Sequence, residues 1–311
     1  TLLIRLFGGS GIDGLAGMVP VRYTPFTRVL RPLLPIAPAR LRATLAARGQ
    51  PWLEDPANAD LSYTRVRFRL AMSVLAPAVM TRDDLAALGV AASAAVDNLD
   101  AAVSSAFDRC CEIDRLGFAW LDEEALGEIP EEVAWRLLAR LLCRIGGTAW
   151  PPGGTAVRAL RARVLTHRGR PSGSLGRCRL IRKERRLLVC RERRNLPPPV
   201  QVEGGEVLLW DGRFLVHVPH RHLLGSSRYQ VVPMPPDLWR RCAKRQRGSG
   251  LAALPAEARC GLPALIGETG QAVMPVAAES GTALERQDGS LALGVTFRPT
   301  RVLNHSGRFL A

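Results

Sequence analysis

The spacing of apolar residues predicts helices in the first half of the chain. Apolar residues recur at intervals of three and four, which is typical of a helix with one buried face. The most regular of these stretches starts after Pro130 and stops at Gly146–Gly147, residue types that commonly flank a helix. The predicted helices cover residues 1–7, 37–48, 65–79, 83–113, 131–147 and 155–168.

Beyond residue 170 the pattern changes to the alternation that predicts β-strands. The stretch 176–194 predicts a hairpin that turns around Lys183–Arg186. In 206–219, two β-rich runs flank Asp211–Gly212, and Asp-Gly is a strong signal for a two-residue hairpin loop. The pattern therefore predicts a helical middle region followed by a strand-rich region.

Length and composition favour a globular protein of several domains. The 311 residues are enough for two or three domains, and 47% are hydrophobic, which is enough to bury cores. We see no apolar run near the roughly 18 residues that span a membrane. The seven cysteines form no Cys-x-x-Cys pair, which argues against a zinc or thiol-redox site. We therefore expect a cytoplasmic protein with reduced thiols, no membrane partner and no protein-bound metal.

The net charge of +15 is unevenly distributed along the chain. Residues 1–80 carry +6, residues 81–140 carry −8 and residues 151–200 carry +12. This alternation exceeds what a general preference for arginine would produce, so the last block predicts a surface for a polyanion. The alternative is a solvated face without a ligand.

The histidines His217, His220 and His222 suggest a metal site, but no cysteine or carboxylate lies close to them in the sequence. A hydrogen-bonded or surface histidine set is the better interpretation.

A turn followed by a basic helix forms the main candidate site. Asp55 and Asn58 have side chains that favour turns, while Arg65 and Arg69 lie four residues apart on one helix face, with Arg67 turned away. Two guanidinium groups on one face suit phosphate or carboxylate. Equally, Arg65 or Arg69 could pair with Asp55 or Asp60 and fix the loop.

Several of these segments together resemble a known family. GSGIDGLAGM (9–18), RPLL (31–34) and WLEDPANADLSYTRVRFR (52–69) are similar, in order and spacing, to the tRNA(Ile)-lysidine synthetases, which belong to the N-type ATP-pyrophosphatase (PP-loop) class. Looser similarity follows in LGRCRL, CRERR, WDGRF, LPAL and FRPTRVL. The resemblance departs from the family at Val66, where asparagine is usual, and at Ala57, where serine is usual.

The resemblance implies a multidomain α/β plus α fold. We expect the C-terminal part of an α/β PP-loop (Rossmann-like) domain in residues 1–80, a helical domain in 81–148 and a basic α+β tRNA-binding region in 149–311. Neither the Ser-Gly-Gly-x-Asp-Ser nor the His-His-x-Asp-Asp-Gln signature of the family occurs in the sequence. We therefore expect an N-terminally truncated member that is inactive alone.

The resemblance also implies an activity. The family adenylates C2 of the wobble cytidine of an isoleucine tRNA with ATP, with Mg expected beside it. L-lysine then attacks to form a carbon–nitrogen bond, after which the anticodon reads AUA. A homodimer is compatible with the resemblance. Two alternatives stay open: a PP-loop enzyme of the 2-thiocytidine type, which would be expected to contain a Cys-x-x-Cys, and a non-catalytic RNA-binding module.

The resemblance and the charge pattern together give the predicted site residues. Asp55, Arg65 and Arg69 are assigned to catalysis, with Asp55 near the lysine amine and the two arginines near phosphates. The predicted substrate-binding residues are Gly11, Gly14, Asn58 and Arg67. The predicted tRNA-binding residues are Arg177, Arg179, Arg182, Lys183, Arg185, Arg186, Arg193 and Arg194.

Overall fold

The chain divides into two compact units. A computed structural model describes residues 2–23, 27–75, 81–166, 172–218, 228–243, 254–268, 270, 272–273, 275–277, 284–285 and 291–299. Among these residues, unit 1 comprises those up to residue 102 and unit 2 comprises those from residue 103 onwards. The domain boundaries at residues 80 and 148 stay a prediction.

Unit 1 is mainly helical in its described part. Its elements are α1 (Leu2–Phe7), α2 (Ile12–Leu15), β1 (Val21–Tyr23), β2 (Arg28–Leu30), α3 (Pro38–Ala47), a 3-10 turn (Pro56–Asn58), α4 (Thr64–Leu75) and the first part of α5 (Arg82–Cys110). The helices predicted for 1–7 and 37–48 are confirmed. The end predicted near Pro77 lies outside the described residues.

The only sheet among the described residues of unit 1 is the antiparallel pair β1–β2, in which Val21 lies opposite Leu30. The parallel sheet expected of a Rossmann-like domain is therefore not seen in this part of the chain. Helices α1 and α4 contact each other through Phe7 and Phe68, whose ring centroids are 5.7 Å apart.

Helix α5 corrects one expectation from the sequence. Residues Asp83–Cys110 form a continuous helix that is long and apolar enough to cross a membrane. A single helix of this kind, selected by length and composition alone, is weak evidence for a membrane span. The helix begins with a reciprocal cap, in which the backbone N–H of Thr81 donates to Asp84 and that of Asp84 donates to the Thr81 hydroxyl.

Unit 2 combines helices with three sheets in the residues that the structure describes. Its first elements are the end of α5, β3 (Cys111–Ile113), β4 (Ala119–Asp122), α6 (Glu123–Glu128), α7 (Glu131–Gly146), α8 (Gly154–Thr166), β5 (Ser172–Leu175), β6 (Cys178–Lys183) and β7 (Arg186–Arg191). There follow β8 (Val200–Glu203), β9 (Val207–Trp210), β10 (Phe214–His217), β11 (Arg228–Pro233), α9 (Pro236–Ala243) and a 3-10 turn (Arg259–Gly261). The last elements are β12 (Pro263–Gly267), β13 (Ala272–Val273), β14 (Pro275–Ala277), β15 (Leu284–Glu285) and β16 (Leu291–Phe297).

The three sheets are mostly antiparallel. The first has the order β3-β4-β7-β6-β5, and the second has the order β13-β12-β11-β8. The third has the order β14-β16-β10-β9, with β15 also paired to β16 and with β14 parallel to β16. Both predicted hairpins are confirmed, since β6 pairs with β7 and β9 pairs with β10. The β9–β10 loop has three residues, 211–213, rather than the predicted two, because Trp210 lies opposite Phe214.

The middle region is not purely helical, contrary to our expectation. Strands β3 and β4 lie between the predicted helices, and β4 pairs with β7, so that Leu121 lies opposite Leu187. The predicted helix therefore ends at Cys110, three residues earlier than the sequence suggested.

The central strand β7 of the first sheet is buried on both faces. Helix α7 contacts one face of β7, and it packs so closely on the β5–β6 turn that a Cβ added at Gly146 would lie 2.0 Å from the carbonyl oxygen of Gly176. On the other face Ile181, Leu188 and Cys190 join the core formed with the other two sheets. This double burial explains why strand β7 reads as a continuous apolar run.

A buried ion cluster ties several turns of unit 2 together. The carboxylate of Asp211 accepts hydrogen bonds from Arg177, from Nε of Arg191 at 3.0 Å and from Nε of Arg213 at 2.9 Å. The side chains of Asp211, Arg191 and Arg213 are fully buried. Burial lowers the pKa of Arg213 to about 10, although the charge of Asp211 acts in the opposite direction.

Candidate functional site

A cleft of about 670 Å³ in unit 1 gathers part of the predicted site. Asn58, Arg65 and Arg69 all line it. The remaining lining residues are Leu2, Leu3, Ile4, Pro38, Arg42, Glu54, Phe68 and Leu85. Helix α1 therefore supplies an apolar side, and α4 supplies two cations.

The two arginines share this cleft because they are four residues apart on α4. Arg67 points elsewhere and donates to the carbonyl oxygens of Leu61 and Ser62 and to the hydroxyl of Thr64. The predicted orientation of the three arginines on the helix is thus the one observed. The substrate-binding role assigned to Arg67 stays a prediction that this geometry does not favour.

The carboxylates before α4 accept hydrogen bonds from the backbone of the turn and do not bind the arginines. Asp55 accepts from the backbone N–H of Ala57 at 2.9 Å, and Asp60 accepts from that of Ser62 at 2.8 Å. The hydrogen bonds from Ser62 lower the pKa of Asp60. Within the described residues neither carboxylate pairs with Arg65 or Arg69, so the loop-fixing alternative is not what the structure contains. Asp55 does not line the cleft.

The glycine loop lies outside the cleft lining but is fixed by one side chain. Nη1 of Arg5 donates to the carbonyl oxygen of Gly14 at 2.8 Å. A Cβ at Gly14 would lie 2.5 Å from Cβ of Ser10, whereas one at Gly11 would meet nothing within 4 Å. The close approach therefore requires glycine at position 14.

Two charged residues of the cleft were missed by the sequence reasoning. Arg42 on α3 lies 3.5 Å from Glu54, and Glu54 also accepts from the indole N–H of Trp52 at 3.0 Å. Both charged side chains are more than half exposed. Glu54 adjoins the Asp-Pro turn, so its position was the available signal; Arg42 has no comparable local pattern.

Half of the predicted tRNA-binding residues are already paired with acids of unit 2. Arg182 binds Glu123 at 2.6 Å and Lys183 binds Glu257 at 2.9 Å. The other two pairs are Arg177–Asp211 and Arg186–Glu112. Glu112 and Glu123 come from the acidic block 81–140, so part of the charge alternation reflects pairing inside the protein rather than a surface for a ligand.

The other half is exposed and available. Arg179, Arg185, Arg193 and Arg194 are exposed. Within the described residues, no side-chain hydrogen bond or ion pair engages any of these four. The eight predicted tRNA-binding residues therefore separate into four structural cations and four that face solvent.

The histidine and cysteine patterns do not form a metal centre in the part of the chain that the structure describes. His217 ends β10, while His220 and His222 lie outside the described residues. Burial raises the pKa of the Cys143 thiol to about 11 and that of Cys190 to about 12. These thiols are packing groups rather than nucleophiles.

Comparison with known proteins defines the class of unit 1. A family model described as a PP-loop domain matches residues 1–75. That range starts at residue 1, which conflicts with our expectation of a truncated N-terminus.

Individual relatives indicate the type of protein more specifically than the family model does. The chain is 34% identical over 238 residues to a tRNA(Ile)-lysidine synthase of Ruegeria pomeroyi, covering 75% of this chain and 55% of the relative. Proteins of the same name match from Methylobacterium nodulans (40% over 153 residues, 49% of this chain, 45% of the relative) and Anaplasma marginale (29% over 225 residues, 71% and 48%). The predicted relationship to the tRNA(Ile)-lysidine synthases is confirmed, and the chain spans about half the length of these relatives.

Proposed function

We propose that the protein carrying this chain is a tRNA(Ile)-lysidine synthase. In this reaction the C2 oxygen of the wobble cytidine attacks the α-phosphate of ATP and pyrophosphate leaves. An amine of L-lysine then attacks C2, and AMP leaves with that oxygen. The substrates are an isoleucine tRNA, ATP with Mg and lysine, and the proposed location is the cytoplasm.

The observation that carries the RNA part is the set of four exposed arginines: Arg179, Arg185, Arg193 and Arg194. In the described part of the chain these guanidinium groups form no side-chain hydrogen bond or ion pair, so they can contact RNA phosphates without first breaking one. The cations that are already paired with a carboxylate would lose that ion pair on binding RNA. This loss offsets the free energy that the phosphate contact contributes. We therefore assign the phosphate contacts to the exposed set.

In unit 1, the cleft beside Asn58, Arg65 and Arg69 supports the catalytic part of the proposal. Two guanidinium groups on one wall suit the phosphates of ATP or of the adenylated RNA. Asp55 is assigned to the lysine amine, although it caps the adjacent turn. Because the 311 residues contain no Ser-Gly-Gly-x-Asp-Ser motif, we infer that this chain alone binds tRNA but does not adenylate it.

The test of RNA binding is a salt titration. Affinity for isoleucine tRNA should fall linearly on a log–log plot against salt, because cations bound to phosphate displace counterions. The double substitution Arg185→Gln/Arg194→Gln should lower the slope by about one for each cation.

The matched control is Arg40→Gln/Arg48→Gln, which removes the same charge from exposed positions of α3 and its C-terminal end. The control slope should stay near that of the unchanged chain. Equal slopes for both double variants, or no tRNA binding at all, would defeat the assignment.

A non-catalytic RNA-binding module is the second candidate, favoured by the missing Ser-Gly-Gly-x-Asp-Ser motif. It differs from the first proposal in one respect: it binds tRNA but never consumes ATP. The 2-thiocytidine type is less favoured, since the sequence contains no Cys-x-x-Cys.

A further inference from the structure

A second cleft, of about 610 Å³, lies in unit 2 beside Trp239, and we call it the Trp239 cleft. Its volume falls in the range of about 300–1,000 Å³ that is usual for small-ligand sites. Strand β6, the segment after β7, the segment after β11 and helix α9 all contribute to its walls. It is separate from the cleft in unit 1 described above.

The Trp239 cleft is strongly cationic. Five arginines line it, against one carboxylate, that of Glu257. Lys183 binds that carboxylate at 2.9 Å. Burial raises the pKa of Glu257, but hydrogen bonding and the charges of Lys183 and Arg179 outweigh this effect and the pKa is lowered. Since its only carboxylate is already neutralised, the cleft favours an anion.

Of the five arginines, Arg179 and Arg193 are placed to hold that anion. Arg191 is fully buried, and its guanidinium donates to Asp211 and to backbone carbonyl oxygens, including that of Asn195 at 2.6 Å. Arg179 and Arg193 are exposed, and no hydrogen bond engages their side chains within the described residues. Nε of Arg259 is buried and has no hydrogen-bond partner in the same part of the chain.

Part of the cleft lining is apolar. Pro233, Met234 and Pro235 line it, and Met234 is buried. Next to them the guanidinium carbon of Arg259 lies 4.8 Å from the ring centroid of Trp239. A flat guanidinium fixed over an aromatic ring offers a planar surface on which a nucleobase can stack.

We propose that the Trp239 cleft binds one unpaired nucleotide. Its phosphate lies against Arg179 and Arg193, and its base lies against Met234 and the stacked Arg259. Bases of a duplex are stacked on each other, so only a splayed-out nucleotide can enter. The proposal rests on the RNA-binding function above and adds which feature of the RNA is recognised. An acidic peptide offers the charge but not the planar base.

The experiment uses the whole chain and a short single-stranded RNA with one 2-aminopurine, whose fluorescence falls when the base stacks. Two further probes are the same strand in a duplex and free 2-aminopurine riboside 5′-monophosphate. We expect quenching with the single strand and no quenching with the duplex. Quenching by the free nucleotide at similar concentrations would identify a mononucleotide ligand; quenching only within the strand would identify RNA. Either result supports a nucleotide site.

Substitution then locates the site. Arg179→Gln and Arg193→Gln should each weaken binding of the single strand about tenfold, the effect expected for losing one charged hydrogen bond. Arg40→Gln serves as the control for charge, because it lies on α3 in unit 1. Circular dichroism confirms that each variant is folded.

Three results would overturn the proposal: duplex and single strand quench equally, polyglutamate displaces the strand as well as RNA does, or Arg179→Gln binds like Arg40→Gln. The last result combined with normal tRNA binding removes the cleft but leaves the proposed function intact. Quenching of the short strand without tRNA binding supports the nucleotide site in the cleft and contradicts the proposed function.

Discussion

The buried carboxylate of Asp211 gives the sharpest prediction on stability. It faces three arginines, two of them fully buried, and it adopts φ = 52° in the β9–β10 turn. Asparagine tolerates this left-handed conformation as aspartate does. The substitution Asp211→Asn therefore removes the charge while keeping the turn and the volume of the side chain.

The size of the stability loss follows from the charged groups that stay buried after the substitution. The amide keeps one acceptor oxygen, while its NH2 group faces guanidinium donors, so the charges of Arg191 and Arg213 stay buried without a counter-ion. Removing one partner from a buried ion pair costs about 3–5 kcal/mol. The whole free energy of unfolding of a domain is about 5–15 kcal/mol, so much of the stability of unit 2 should be lost.

Urea denaturation followed by tryptophan fluorescence measures this loss, and Trp210 beside the cluster is buried in the folded state. With an m-value of about 2 kcal/mol per molar, the midpoint should move by about 2 M. The matched control is Asp237→Asn, whose ion pair with Arg241 is exposed at 3.3 Å and should contribute about 0.5 kcal/mol at most. If the two variants unfold at the same urea concentration, the cluster does not have the role assigned to it.

The remaining predictions concern the site, pH and thiols. Arg65→Gln and Arg69→Gln should each lower lysine transfer by the complete gene product at least about tenfold, since a charged contact to phosphate is lost, whereas equal loss for Arg40→Gln would contradict the site. Hydrogen bonds from Trp135 and Arg136 outweigh the burial that raises the pKa of Glu132, so its pKa is lowered. The stabilisation by Glu132 is then present above pH 4.5 and lost as pH falls through the lowered pKa. The variant Glu132→Gln should therefore unfold more easily than the unchanged chain only at neutral pH. Urea denaturation at neutral pH and at a pH below the lowered pKa checks this. Cys178 is fully buried and burial raises the pKa of its thiol, so iodoacetamide should modify it only as fast as unit 2 opens; rapid labelling of the folded chain would contradict this.

The elements found from the sequence are those with complete local signals. Helix α7 has Pro130 before it and ends at Gly147, which adopts φ = 67° as a left-handed cap. The hairpin at Asp211–Gly212 was likewise readable, because both turn residues take the positive φ that this turn requires.

What was missed depends on partners far away in the sequence. Strand β3 has three residues, and β4 pairs with β7 more than sixty residues later, so no local period marks either strand. The pairing of Arg182 with Glu123 has the same origin. A comparison of the acidic block 81–140 with the basic block 151–200 was the available signal, since opposite charges in adjacent blocks can neutralise each other.

The sequence predicted the chemistry of the candidate site better than the full set of residues that line it. Spacing placed Arg65 and Arg69 on one face, and the cleft confirms that they lie together. Nothing local indicated that α3 would bring Arg42 to the same cleft.

ATP-dependent transfer of labelled lysine to isoleucine tRNA by the complete product of the gene tests the proposed enzyme activity itself. We expect labelled tRNA, with one AMP and one pyrophosphate released per lysine. A folded protein that binds the tRNA but releases no AMP and transfers no label would contradict the enzyme assignment and leave only an RNA-binding module.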